Sequence, residues 1–190
     1  MAAVVRRVLV KRVLPLVTVL LLWTQILFAM DLPTAPDGYS WQEIPEIKAA
    51  FLKPTGWHFK RESKKGTLAY FITKEDIDKV GRFDTGLTIN VIREMKGRSA
   101  VEYAKSFIDR LTSDKRGEQW TRTSAPLVQF GCRYKAADAR GMAKVHTLMV
   151  ANQKTNTLYL FIFESPESEV DSTGKTGERI MDMLAIDDEI

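Results

Sequence analysis

Two apolar runs, residues 145–151 (VHTLMVA) and 158–163 (LYLFIF), flank the polar segment NQKTN. Bounded apolar runs of this length, rich in Val, Ile, Tyr and Phe, predict strands rather than helices, here the two arms of a β-hairpin. The second run has no polar alternation. It therefore predicts a strand covered on both faces, which places it inside a layered domain and not on a solvated sheet. Burying such side chains stabilises the fold by roughly 1.5–3 kcal/mol each, so this hairpin is the expected centre of the core.

The rest of the chain supplies the layers. Ile44, Ile47, Phe51 and Leu52 recur at roughly helical spacing, and Pro45 suits a first turn, so a short helix is expected before Pro54 and Gly56. Residues 57–62 and 67–73 predict a second hairpin turned at Lys64, Lys65 and Gly66. A polar loop, residues 74–86, leads into a strand over residues 87–93. Ser99 and Glu102 form a capping-box pattern, and Val101, Ala104, Ile108 and Leu111 then share one face of an amphipathic helix. Residues 120–126 read as a polar strand. Val128, Phe130, Cys132 and Tyr134 alternate along the next strand, which turns back at residues 138–141. Pro166 ends the sheet. Val170, Ile180, Met183 and Leu184 allow a closing helix, weakened by Gly174 and Gly177. The expected class is α+β, an α/β/α sandwich whose central antiparallel sheet is covered by helices on both faces.

Charge changes the picture less than the total implies. The net charge is +4, but Arg6, Arg7, Lys11 and Arg12 all precede the first acidic residue, Asp31. Residues 31–190 therefore carry 24 basic and 24 acidic side chains. A neutral domain offers no global basic surface for nucleic acid. The basic residues instead precede an apolar stretch, residues 13–28, followed by Ala29, Met30 and Asp31. This is the layout of a secretory signal peptide; an uncleaved N-terminal membrane anchor is the competing reading. Either reading places residues 31–190 outside the cytoplasm, in a periplasm, a lumen or the extracellular space. Residues 31–40 then form an extended lead-in, and residues 41–190 a single domain.

Chemical motifs are weak. Residues 172–179 (STGKTGER) match the end of a phosphate loop, but Glu169 stands where the first glycine is required, so a loop entering a helix is the better account. Cys132, the one cysteine, falls in an apolar row; whether it shares a face with His146 depends on the hairpin register. His58 has no second ligand at zinc spacing. Glu75, Asp76 and Asp78 lack the glycine and terminal glutamate of a calcium loop. No catalytic residue, metal ligand or cofactor site is expected, and the chain is read as a non-enzyme.

The runs FLKPTGWHFKRE (residues 51–62) and GRFDTGLTINVI (residues 81–92), the helix at Ser99 and the strand ending LYLFIFESP resemble the PsbP-like superfamily. That superfamily includes the PsbP subunit of the photosystem II oxygen-evolving complex, the exported bacterial protein DcrB and a nuclear-import factor that binds the Ran GTPase. The likeness spans roughly residues 40–185. It implies the same α/β/α sandwich and a binding or assembly role without catalysis. The resulting expectation is an exported module that binds a protein, in a membrane or envelope complex, through Trp41, Lys74, Glu75, Asp76, Asp78, Arg82 and Asp84. A small-molecule or lipid binder with a cleft between sheet and helix is the alternative, and a hydrolase ranks below it. Contact with a membrane is expected only through the N-terminal segment, if it is uncleaved. Cleavage after Ala29 leaves a chain that begins at Met30; mass spectrometry of the exported form reads this directly, and an intact Met1 rules it out.

Overall fold

The computed structural model describes residues 32–64, 67–113, 117–138 and 141–187. The N-terminal segment, residues 65–66 and 139–140 of the expected turns, and the acidic residues Asp188 and Glu189 lie outside them. The strands are β1 (Tyr39–Ile44), β2 (Ala49–Pro54), β3 (His58–Lys64), β4 (Thr67–Thr73), β5 (Gly86–Ile92), β6 (Glu118–Ser124), β7 (Leu127–Asp138), β8 (Gly141–Asn152), β9 (Thr157–Pro166) and β10 (Ala185–Ile186). The α-helices are α1 (Ile77–Val80), α2 (Ala100–Thr112) and α3 (Val170–Asp182). Seven strands form one antiparallel sheet in the order β3-β4-β5-β9-β8-β7-β6, and β1-β2-β10 form a second. The class is α+β, mostly antiparallel sheet.

The LYLFIF run occupies β9, between β5 and β8. The predicted hairpin is present, with Val145 opposite Glu164 and Asn152 opposite Thr157. Alternation along β9 sends Tyr159, Phe161 and Phe163 into one apolar cluster and Leu158 and Leu160 into another. The first cluster brings in Phe51 and Leu52 of β2, Tyr70 and Ile72 of β4, and Ile180 and Met181 of α3. The second brings in Val128, Phe130 and Cys132 of β7 with Ala104 and Ile108 of α2. The Tyr159 hydroxyl donates to the Ile47 carbonyl at 3.2 Å, which satisfies a buried polar group and ties the two sheets together. Burial pushes its pKa up to about 12, keeping it a donor.

Helix α2 begins where expected. Ser99 Oγ accepts from the Glu102 N–H at 3.2 Å, and Glu102 Oε2 accepts from the Ser99 N–H at 2.9 Å. Asn156, in the turn between β8 and β9, accepts the Ala100 N–H at 2.7 Å. Free amide donors at the helix start are thus met partly by the central hairpin itself.

Two expectations need correcting. The helix expected over residues 44–52 is a single 3-10 turn, Pro45–Ile47, followed by β2. Lys48 adopts the left-handed conformation (φ 42°) and reverses the chain. Ala49, Ala50, Phe51 and Leu52 are then buried in succession, as a strand covered on both faces requires. The apparent helical spacing arose because buried positions on both sides of the turn happened to fall three or four apart. Residues 172–179 are also not an entry loop: they lie within α3, whose own hydrogen bonds occupy the amides that a phosphate would need.

The register answers the question left open for Cys132 and His146. Cys132 pairs with Thr147, and His146 with Arg133, so the thiol and the imidazole lie on opposite faces of the sheet.

Helix α3 approaches the sheet closely at Gly177, where a Cβ would stand 2.3 Å from Cε1 of the Phe163 ring. The ring is buried, so displacing it would disturb the packing around it. Gly177→Ala gains about 1 kcal/mol of helix propensity against an overpacking cost of about 1–3 kcal/mol. The expected result is a net loss of about 1 kcal/mol, read as a lower urea midpoint at unchanged slope.

Candidate functional site

The loop over residues 74–86 is tied down by its own polar groups. The Lys74 N–H donates to the Thr85 carbonyl at 2.9 Å, closing the loop neck. Glu75 Oε2 accepts from the Asp84 and Thr85 N–H groups, both at 3.2 Å. Asp76 caps the single turn α1 by accepting the Asp78 N–H, and Gly81 ends that turn at φ 75°, a conformation glycine adopts without steric cost.

Charged side chains fasten the loop to its surroundings. Lys74 Nζ reaches Glu169 Oε2 at 2.7 Å, just before α3. Lys60 on β3 contacts Asp78 at 2.9 Å and Glu62 at 2.7 Å. Asp76 contacts Lys79 at 3.0 Å and lies 4.0 Å from His58 Nδ1. These contacts raise the pKa of Lys60, chiefly through its hydrogen bond to Glu62, and that of Lys74 through Glu169. The hydrogen bond from Lys79 lowers that of Asp76. Exposed pairs of this kind stabilise little individually; their effect is to hold the loop in one shape.

Five of the seven expected residues, Lys74, Glu75, Asp76, Asp78 and Asp84, are therefore held within the loop or fastened to its supports. Arg82 lines an open cleft of about 280 Å³ together with Glu62, Phe71, Phe83 and Glu164. Trp41 stands apart. It lies on β1 in the smaller sheet, packs partly against the core, and donates its indole N–H to the Pro33 carbonyl at 2.7 Å. Trp57 is likewise partly buried against the core. Val80 and the Phe71–Phe83 pair, with ring centroids 6.1 Å apart, were missed from sequence. Val80 is 60% exposed at the end of α1. A lone valine among charges was its only sequence signal.

A second concavity, about 180 Å³, lies between β6–β8 and the end of α3. His146 lines it, and its shielded Nε2 has no hydrogen-bond partner among the described residues. Burial, assisted by the nearby Arg133 cation and opposed by Asp182, lowers the His146 pKa to about 4. Among the described residues, no group of three or more His, Cys, Asp or Glu side chains is placed to hold a metal ion.

Because the folded protein keeps His146 neutral down to about pH 4 while an unfolded chain takes up the proton near 6.5, the unfolded state binds more protons between these values. Stability is fully present above pH 6.5 and is lost as pH falls toward 4. The loss is on the order of 3 kcal/mol. His146→Gln flattens that part of the stability–pH profile, measured by urea unfolding; an unchanged slope refutes the assignment.

No protein-family model and no curated protein sequence matches the chain. Solved structures do. The cyanobacterial PsbP of Synechocystis sp. PCC 6803 superposes with a TM-score of 0.50 at 12% identity, over 84% of this chain and 99% of that one. The Saccharomyces cerevisiae Ran-binding protein Mog1p gives 0.49 at 9% identity, over 78% and 95%. LpqN of Mycobacterium tuberculosis, involved in cell envelope biogenesis, gives 0.44 at 10% identity, over 82% of each chain. At such identities the likeness concerns the path of the chain alone. With its central antiparallel sheet spanned by the match to the cyanobacterial protein, the chain has a PsbP-like fold.

Proposed function

We propose that this chain is an exported, non-enzymatic module, built as an α/β/α sandwich, that binds a protein of a membrane or envelope complex through the loop over residues 74–86. The observation that carries this reading is the pre-ordered loop, which presents Val80 and Arg82 beside a cleft floored by Phe71. A surface already held in its binding shape loses little conformational entropy on association. An apolar residue framed by charges can anchor a small interface whose rim sets specificity. The mixed charge of the loop fits a protein surface better than a polyanion, since Glu75, Asp76, Asp78 and Asp84 would repel phosphate.

Export is supported by the basic and then apolar order of residues 1–28. Among the described residues, no helix is long and apolar enough to cross a membrane. Under this reading the N-terminal segment delivers the domain and the loop engages the target. The double variant Val80→Asp, Arg82→Glu tests it by affinity capture of the target from the envelope fraction. A drop of about tenfold or more in captured target, with unchanged thermal melting, is expected. Equal capture by wild type and variant discards the loop as the interface.

A further inference from the structure

The concavity that contains His146 is built for more than shape. Its floor is the sheet itself, at Gln129 and Leu148. One wall is Trp120 and Arg122 of the edge strand β6; the other is Met181, Asp182 and Leu184 at the end of α3. Trp120 lies flat on the sheet at Gly131, where a Cβ would come within 2.1 Å of the indole. The absent side chain is what lets the ring pack down against the strand. The Arg122 guanidinium sits over that ring, 4.9 Å from its centroid, a contact that holds the cation at the rim.

Polar groups of opposite kinds converge on this small space. Arg122 and the Gln129 carboxamide are donors. Asp182 is an acceptor. Neither Arg122 nor Asp182 is in an ion pair among the described residues. An anion alone would meet Asp182, and a cation alone would meet Arg122, so a ligand with one charge is opposed by half of the site. A ligand carrying a carboxylate and an ammonium satisfies both. The indole, Leu148, Met181 and Leu184 add apolar surface for a hydrocarbon side chain. The volume of about 180 Å³ falls below the roughly 300–1,000 Å³ of sites for drug-sized ligands, which selects a compact molecule.

We propose that the cleft between β6–β8 and α3 binds a free amino acid with an apolar side chain. Arg122 and Gln129 take the carboxylate, and Asp182 takes the ammonium. Trp120 and Met181 enclose the side chain. The cleft shares no lining residue with the one beside the loop over residues 74–86, so either proposal can fail without the other.

Calorimetric titration of the full-length chain with L-leucine tests the inference, with 4-methylpentanoate (no ammonium) and leucinamide (no carboxylate) as single-charge probes. Leucine is expected to give a saturable heat, and each probe to bind about tenfold or more weakly. Asp182→Asn weakens leucine by a similar factor and leaves 4-methylpentanoate no weaker. Arg122→Gln weakens leucine and leaves leucinamide no weaker. Both substitutions are at exposed positions, so thermal melting should be unchanged. No saturable heat with millimolar leucine overturns the proposal, as does binding of either probe as tightly as leucine.

Discussion

The double-sided burial of β9 is the constraint on which the rest of the structure depends. One strand with Leu158 and Leu160 on one side and Tyr159, Phe161 and Phe163 on the other needs two separate apolar partners. Helix α2 meets the first side; β2 and α3 meet the second. Position along the chain follows from this demand. The chain after β1 turns back at Lys48 to deliver β2, and the segment after Pro166 returns as α3 over the Phe163 ring. The Tyr159 hydroxyl on the Ile47 carbonyl adds a directional bond to an otherwise non-directional contact.

Both candidate surfaces are consequences of how that sheet is covered. The central strands of the large sheet are the most buried, and its edge strands are more exposed. The chain between β4 and β5 folds into a polar loop and holds itself with its own carboxylates. Beside the edge strand β6, a concavity is lined by Trp120 and the end of α3. A polar loop on a sheet must satisfy its backbone locally, which is why Glu75 and Asp76 spend their oxygens on amides.

The strongest sequence signals were those where local pattern and tertiary demand agree. The 145–163 hairpin, the capping box at Ser99 and the Val128–Phe130–Cys132 alternation are all present in the structure. Residues 44–52 misled because a buried strand and a short helix can display the same few apolar positions. The site was less legible. The loop could be located by composition, yet Val80 and Phe83 become notable only once exposure and the Phe71 contact are known. Trp41 was grouped with the loop for its aromatic character, and the fold places it in the other sheet.

By itself, the amino-acid sequence determined the class, the core strand, the capped helix and the neutrality of residues 31–190, because periodicity, capping and charge are properties of local order. Tertiary structure decided which faces and which distant residues meet. It separated Cys132 from His146 through a register that no local pattern specifies. It also gathered Trp120 and Arg122 from an edge strand with Asp182 from the last helix, which lie about sixty positions apart in the chain. Such meetings depend on how two apolar faces find their covers, a property of the whole chain.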